Sequence, residues 1–303
     1  MAAFVEYQWH PEVWLLVGFL VVAYTYMVRV IGPKAVPAGQ PAVARHQIVA
    51  FAAAMLLLWL SSDWPVHDVA EGYLYSVHMF QHMALTFFVP PLALLATPTW
   101  LMRSLIGRGA TYRVVKRLAH PVVAAVVFNA TVMVIHIPAL VNASTSNGPL
   151  HYLLHVMIVG AAFMMWMPVV GPISEFRLGP LGASIYLFLQ SVVPTIPAGW
   201  LVFAEGVVYG SYGDQPIRLW GVDVIADQQF AGAIMKLAGG VFLWAFVVYF
   251  FFARFARGYQ HEHDYRRRDR MPDAEIIGND ETDLTTADVE RAFAASEAAP
   301  GPD

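Results

Sequence analysis

Two pairs of histidines are spaced for chemistry. His78 and His82 lie four residues apart, and so do His151 and His155. On a helix four residues make about 400° of rotation and roughly 6 Å of rise, so each pair shares a face and can offer two ring nitrogens to one ion. His136, two residues before Pro138, is a fifth candidate. Neutral imidazole suits copper, zinc and iron. Met79, Met83 and Met157 stand beside the pairs, and Met164, Met165 and Met167 follow. Thioether sulfur favours Cu(I), but methionine is also a common packing residue. Any one of the histidines has a plainer reading, an interfacial side chain hydrogen-bonded to a neighbour. Five imidazoles on three segments argue for a metal site, and leave the metal open.

The elements that position them follow from composition. Apolar residues make up 58% of the 303 residues and charged residues 13%, about half the usual share near 25%. Mean hydropathy is +0.53. So few charges cannot cover a water-soluble domain of this length, and the apolar excess must face a lipid bilayer. The absence of cysteine excludes disulfides and thiolate metal sites. A net charge of −4 argues against a nucleic-acid partner. The first apolar stretch is long enough to stay as an anchor and lacks a small-residue cleavage site.

The expected fold is all-α, a polytopic bundle of seven transmembrane helices near 12–31, 46–64, 73–97, 120–138, 150–170, 181–203 and 228–254. The second is the weakest by length. Pro90–Pro91 and Pro194/Pro197 predict kinks in the third and sixth, not ends. Of eighteen Lys and Arg, sixteen fall on one side of this arrangement, Arg218 alone on the other and Lys236 within the seventh span. The bias places the N-terminus outside and the C-terminus in the cytoplasm. All five candidate histidines then reach similar depth in the outer leaflet. Polar side chains at that depth are costly and usually face the bundle interior.

Residues 1–256 form the expected membrane domain and 257–303 a cytoplasmic tail. The tail is basic to Arg270, at the anionic inner leaflet, then acidic and largely disordered, with a short helix possible around Asp283–Ala295 capped by Thr285. Asp63, Asp68, Glu71 and Asp227 could orient imidazole N–H groups or be loop charges. Two other cofactors compete with a metal ion. Bis-imidazole haem needs fewer histidines than are present. Retinal on Lys236, which could equally snorkel or pair with Asp227, would leave them unexplained. No nucleophile elbow, P-loop, dinucleotide fingerprint or HExxH motif occurs, so the chain reads as non-enzymatic. Gln190, Ser191, Pro194 and Pro197 keep a transport path open.

The stretch Ser76-Val77-His78-Met79-Phe80-Gln81-His82, followed by Pro90-Pro91, resembles the third-span motif of the multi-span CtaG family. The resemblance extends in order through Trp9-His10-Pro11, Asp63-Trp64-Pro65, His136-Ile137-Pro138, the His151/His155 stretch, Trp166-Met167-Pro168-Val169 and Asp227-Gln228-Gln229 with Gly232 and Met235. It covers about 9–255; Lys236 and the tail stand outside the pattern. It implies an assembly factor of the bacterial cytoplasmic membrane for caa3-type cytochrome c oxidase, handling copper for the catalytic subunit of that oxidase. Copper is the implied metal, with His78, His82, His136, His151 and His155 as its candidate ligands. A copper transporter and a haem-binding redox protein remain the alternatives.

Overall fold

The computed structural model describes residues 5–269, with side chains to 256, together with 286, 290 and 291. Among the described residues the structure is helical and has no strand. Six helices are long and apolar enough to cross a membrane: α1 (Pro11–Ala35), α2 (Arg45–Ser62), α4 (Tyr75–Ala96), α9 (Gly148–Val170), α10 (Pro180–Phe203) and α11 (Val224–Ala256). Between them lie α3 (Val66–Gly72), α5 (Thr99–Ile106), α6 (Ala110–Leu118), α7 (Pro121–Ile135) and α8 (Pro138–Thr145).

The expected fourth span departs from a plain helix. Helix α7 has only 15 residues, about 22 Å of rise, short of a roughly 30 Å hydrocarbon core. It reaches spanning length only with α6, bent from it by 69°. Pro121 sets this break, because proline disfavours helix in the residue before it, and His120 there is extended. The bundle therefore has six spans and a seventh if the bent pair counts as one. The expected loop at 65–72 is also different: residues 66–72 form α3.

The prolines of the third span do not end the helix. Helix α4 runs through one wide π-helical turn, Ala84–Phe88, directly before Pro90. Pro90 and Pro91 lack N–H groups, which leaves the Thr86 carbonyl without its partner in either helical register. The indole Nε1 of Trp166 on α9 donates to that carbonyl at 3.0 Å, and Trp166 is fully buried. The helical hydrogen-bonding of α10 is interrupted at Val193–Pro194, both in helical conformation, and resumes at Thr195.

Helix ends are fixed by side chains. The Asn147 carbonyl oxygen accepts from Leu150 N at the start of α9, and Asp223 accepts from Ile225 N and Ala226 N at the start of α11. Helix α4 has no cap of its own. Asp227 on α11, 1% exposed, accepts from Tyr75 N at 2.7 Å and Ser76 N at 3.0 Å. Gly232 lets α11 approach α10, since a Cβ there would stand 2.7 Å from the Ala198 carbonyl oxygen.

The chain divides into two compact units at Arg254/Phe255. In the second the last helix continues to Asp269, and 286, 290 and 291 are helical. The rest of the acidic stretch, including the cap expected at Thr285, lies outside the described residues.

Candidate metal centre

The two histidine pairs occupy equivalent places. His78 and His82 lie three and seven residues after Tyr75, where α4 starts; His151 and His155 lie three and seven after Gly148, where α9 starts. At 1.5 Å per residue both pairs sit about 5 and 10 Å along their helices. The rings meet between the helices. Centroid separations are 4.4 Å for His78–His82, 4.4 Å for His151–His155, 4.8 Å for His82–His155 and 5.7 Å for His78–His155.

Three of the five predicted residues converge. One nitrogen each from His78, His82 and His155 can be chosen so that all lie within 4.8 Å of one another. His78 Nδ1, His82 Nε2 and His155 Nε2 are buried and make no hydrogen bond, and His151 Nε2, although close to Glu71, makes none either. A buried polar atom without a partner costs about 1–3 kcal/mol, and three in one place mark a site shaped for something that accepts lone pairs. A transition-metal ion fits that donor set.

The other two flank the trio. His136 lines the same small cavity with His78, His82, His151 and His155. Its Nδ1 donates to the Val132 carbonyl at 2.7 Å, which leaves Nε2 as its lone-pair nitrogen. His151 is engaged by a carboxylate: its Nε2 stands 2.7 Å from Glu71 Oε1. The same oxygen is 3.0 Å from His67 Nε2.

The four acidic residues divide. Glu71 Oε1 lies within 3.0 Å of two imidazole nitrogens, close enough for charge contact although neither pair has hydrogen-bond geometry. Burial by itself would raise its carboxyl, but the contacts with His151 and His67 outweigh it and hold it well below its ordinary value. Burial would lower His67, but Glu71 outweighs it and raises the imidazole. Asp68 Oδ2 meets His10 Nε2 at 3.1 Å. Asp227 corrects the expectation, since it holds the backbone start of α4 and no imidazole. Asp63 is buried, with Oδ1 unpartnered. Lys236 meets Thr195 Oγ1 at 2.6 Å and not Asp227.

Sequence reasoning missed Gln81 and the structural part of His67. Gln81, 1% exposed, donates from Nε2 to the Ser61 carbonyl at 2.7 Å and lies 3.2 Å from His67 Nδ1. A donor at Nδ1 leaves the proton of neutral His67 on Nε2, facing Glu71. The four-residue spacing of His67 and Glu71 was the available signal. Tyr75 and Tyr212 line the cavity and Tyr209 packs against Tyr75; the hydroxyls of Tyr209 and Tyr212 donate to the carbonyls of His136 at 3.1 Å and Ala70 at 2.9 Å.

A family model described as cytochrome c oxidase caa3 assembly factor matches residues 22–257. The comparisons with curated proteins and with solved structures found no match.

Proposed function

Because the chain belongs to the cytochrome c oxidase caa3 assembly factor family, we propose that it binds copper through the histidine cluster and helps metallate the catalytic subunit of the oxidase, without catalysis of its own. The observation that carries this reading is the trio of buried, unpartnered ring nitrogens on His78, His82 and His155. His136 and His151 stand beside them as additional ligands. The Lys/Arg bias supports an N-out chain in the bacterial cytoplasmic membrane, which puts the cluster in the outer leaflet. Copper held there can pass sideways to a neighbouring membrane protein by exchange of imidazole ligands, because neither protein needs to release a charged ion into lipid.

A transporter is the second reading, and one observation favours it. His82 and His136 also line an adjoining small cavity, with Met79, Met83, Met235, Gln190, Thr195 and Lys236. The cation of Lys236 beside this cavity opposes passage of another cation, which favours holding over transport.

The test is metal content and absorbance of the detergent-purified chain, wild type beside His78→Ala/His82→Ala. Near-stoichiometric copper in the wild type, lost in the variant and without a Soret band, supports the proposal. A folded wild type that takes up no copper overturns it in favour of a scaffold with the histidines as polar packing. Copper uptake into proteoliposomes would favour the transporter.

A further inference from the structure

The cluster has a mouth, and Glu71 stands in it. Glu71 lines the histidine cavity on one side and a second, larger cavity on the other. That second cavity is lined by Glu6, His10, His67 and Asp68 as well as Glu71, with no Lys or Arg among its lining residues. Three carboxylates, with His10 and His67 as the only basic side chains in its lining, give it a negative potential, which concentrates cations from solution and raises their rate of arrival. The Glu71 side chain is 36% exposed, so it reaches both compartments, while the His151 side chain it touches is 8% exposed.

From Glu71 inward the donors are spaced for transfer. Glu71 Oε1 lies 2.7 Å from His151 Nε2. The His151 ring is 4.4 Å from that of His155 and 5.7 Å from that of His78, centroid to centroid. Two of the three unpartnered nitrogens therefore belong to rings that touch the His151 ring. Ligands about 2.1 Å from a tetrahedral ion stand about 3.4 Å apart. The Glu71–His151 contact needs to open by less than an ångström to admit an ion. His67 takes no part as a ligand, since the amide donor at its Nδ1 keeps the Nε2 proton in place and turns it toward Glu71. It steadies the carboxylate.

We propose that Glu71 and His151 form a capture site, at which a transition-metal cation drawn from the acidic vestibule is first bound before it passes to His78, His82 and His155. The proposal rests on the copper-binding reading above and adds the side and the residue by which the ion arrives. No redox step is involved; Glu71 exchanges its imidazole partners for the ion, the ring proton of His151 moves through solvent from Nε2 to Nδ1 so that Nε2 can ligate, and it returns when His151 yields the ion to the trio.

The experiment is a time course of copper uptake by the detergent-purified full chain, mixed with Cu(I) under anaerobic conditions and quenched with chelator. Wild type is compared with Glu71→Gln, Glu71→Asp and Asp68→Asn. The expected result is uptake at least tenfold slower in Glu71→Gln with the same final copper per chain, partial recovery in Glu71→Asp, and a smaller slowing in Asp68→Asn. Wild-type uptake slows as salt is raised, and Glu71→Gln shows a weaker salt dependence. Equal rates in wild type and Glu71→Gln overturn the capture site and leave the copper-binding reading standing. So does a lower final copper content in Glu71→Gln at an unchanged rate, which marks a merely structural carboxylate. A wild type that takes up no copper overturns both.

Discussion

Helices α1 and α4 are both apolar enough to cross a membrane, and α1 is the more apolar of the two. Yet 72% of the most apolar stretch of α4 is buried inside the protein, against 6% for α1. In a bilayer, lipid is as good a neighbour as leucine, so hydropathy does not decide which helix becomes the centre. Polar contacts decide it. Helix α4 carries Gln81, His82 and Thr86 inward, has its first amides held by Asp227, and has its proline-freed carbonyl filled by Trp166. Helix α1 is tied at its start and near its middle: Glu12 accepts from the Tyr152 hydroxyl at 2.8 Å, and Tyr24 donates to the Ala96 carbonyl at 2.9 Å. The difference teaches that the histidine cluster and the bundle core are one object, built on the helix that satisfies the most polar groups.

The largest contrast is in metal binding. His78→Ala/His82→Ala is expected to lower bound copper at least tenfold, while Trp14→Leu with Phe19→Leu on α1 leaves it unchanged; metal analysis of the purified proteins decides. In cells, His78→Ala and His151→Ala are expected to leave the chain inserted and to lower the copper content of the oxidase. Normal oxidase in both variants would break the link between cluster and client.

Packing comes next. Met79 is 1% exposed and Leu15 on α1 is 74% exposed. Met79→Ala is expected to cost about 2–5 kcal/mol and Leu15→Ala about 0.5 kcal/mol or less, read from unfolding in mixed detergent. Equal costs would show that α4 is not the structural centre. Asp227→Ala sharpens the same point, with an expected cost of about 1–3 kcal/mol, because two amides at the start of α4 lose their acceptor.

The smallest effect is a pH dependence confined to the mouth of the site. Glu71 has a folded pKa below its ordinary 4.5, so its contribution to stability is present above that value and is lost as pH falls through the folded pKa. His67 is raised above 6.5, so its contribution is full below 6.5 and is lost as pH rises through the folded value. Melting temperatures measured from pH 2 to 9 should therefore fall less in Glu71→Gln than in wild type, on the acid limb below 4.5 and on the alkaline limb above 6.5. The same profile in both would remove the ion pairs from the account.

Much of this was legible in the residues. The four-residue spacing of the histidine pairs put each on one helix face, and the wild alternation of Lys and Arg gave the span count to within the broken α6–α7 pair. The apolar run from 121 to 135 gave no sign that the fourth span would need a bent partner, since length counted in residues says nothing about the angle at Pro121. Residues 65–72 read as a connection because a seven-residue helix is too short for a periodic apolar pattern. Its His67 and Glu71 were visible as types, but their partner His151 is eighty residues away in the chain and no local pattern joins them.

The sequence by itself determined a helical membrane chain with paired imidazoles at matching distances from two helix starts, because periodicity, hydropathy and spacing act within one segment. Only the tertiary structure decided that His78, His82 and His155 converge while His136 and His151 flank them, that Asp227 holds a helix end and not a histidine, and that Glu71 stands between two cavities. Those outcomes depend on how separate helices rotate and approach, and in a bilayer that is set by which buried donors and acceptors find each other across the bundle.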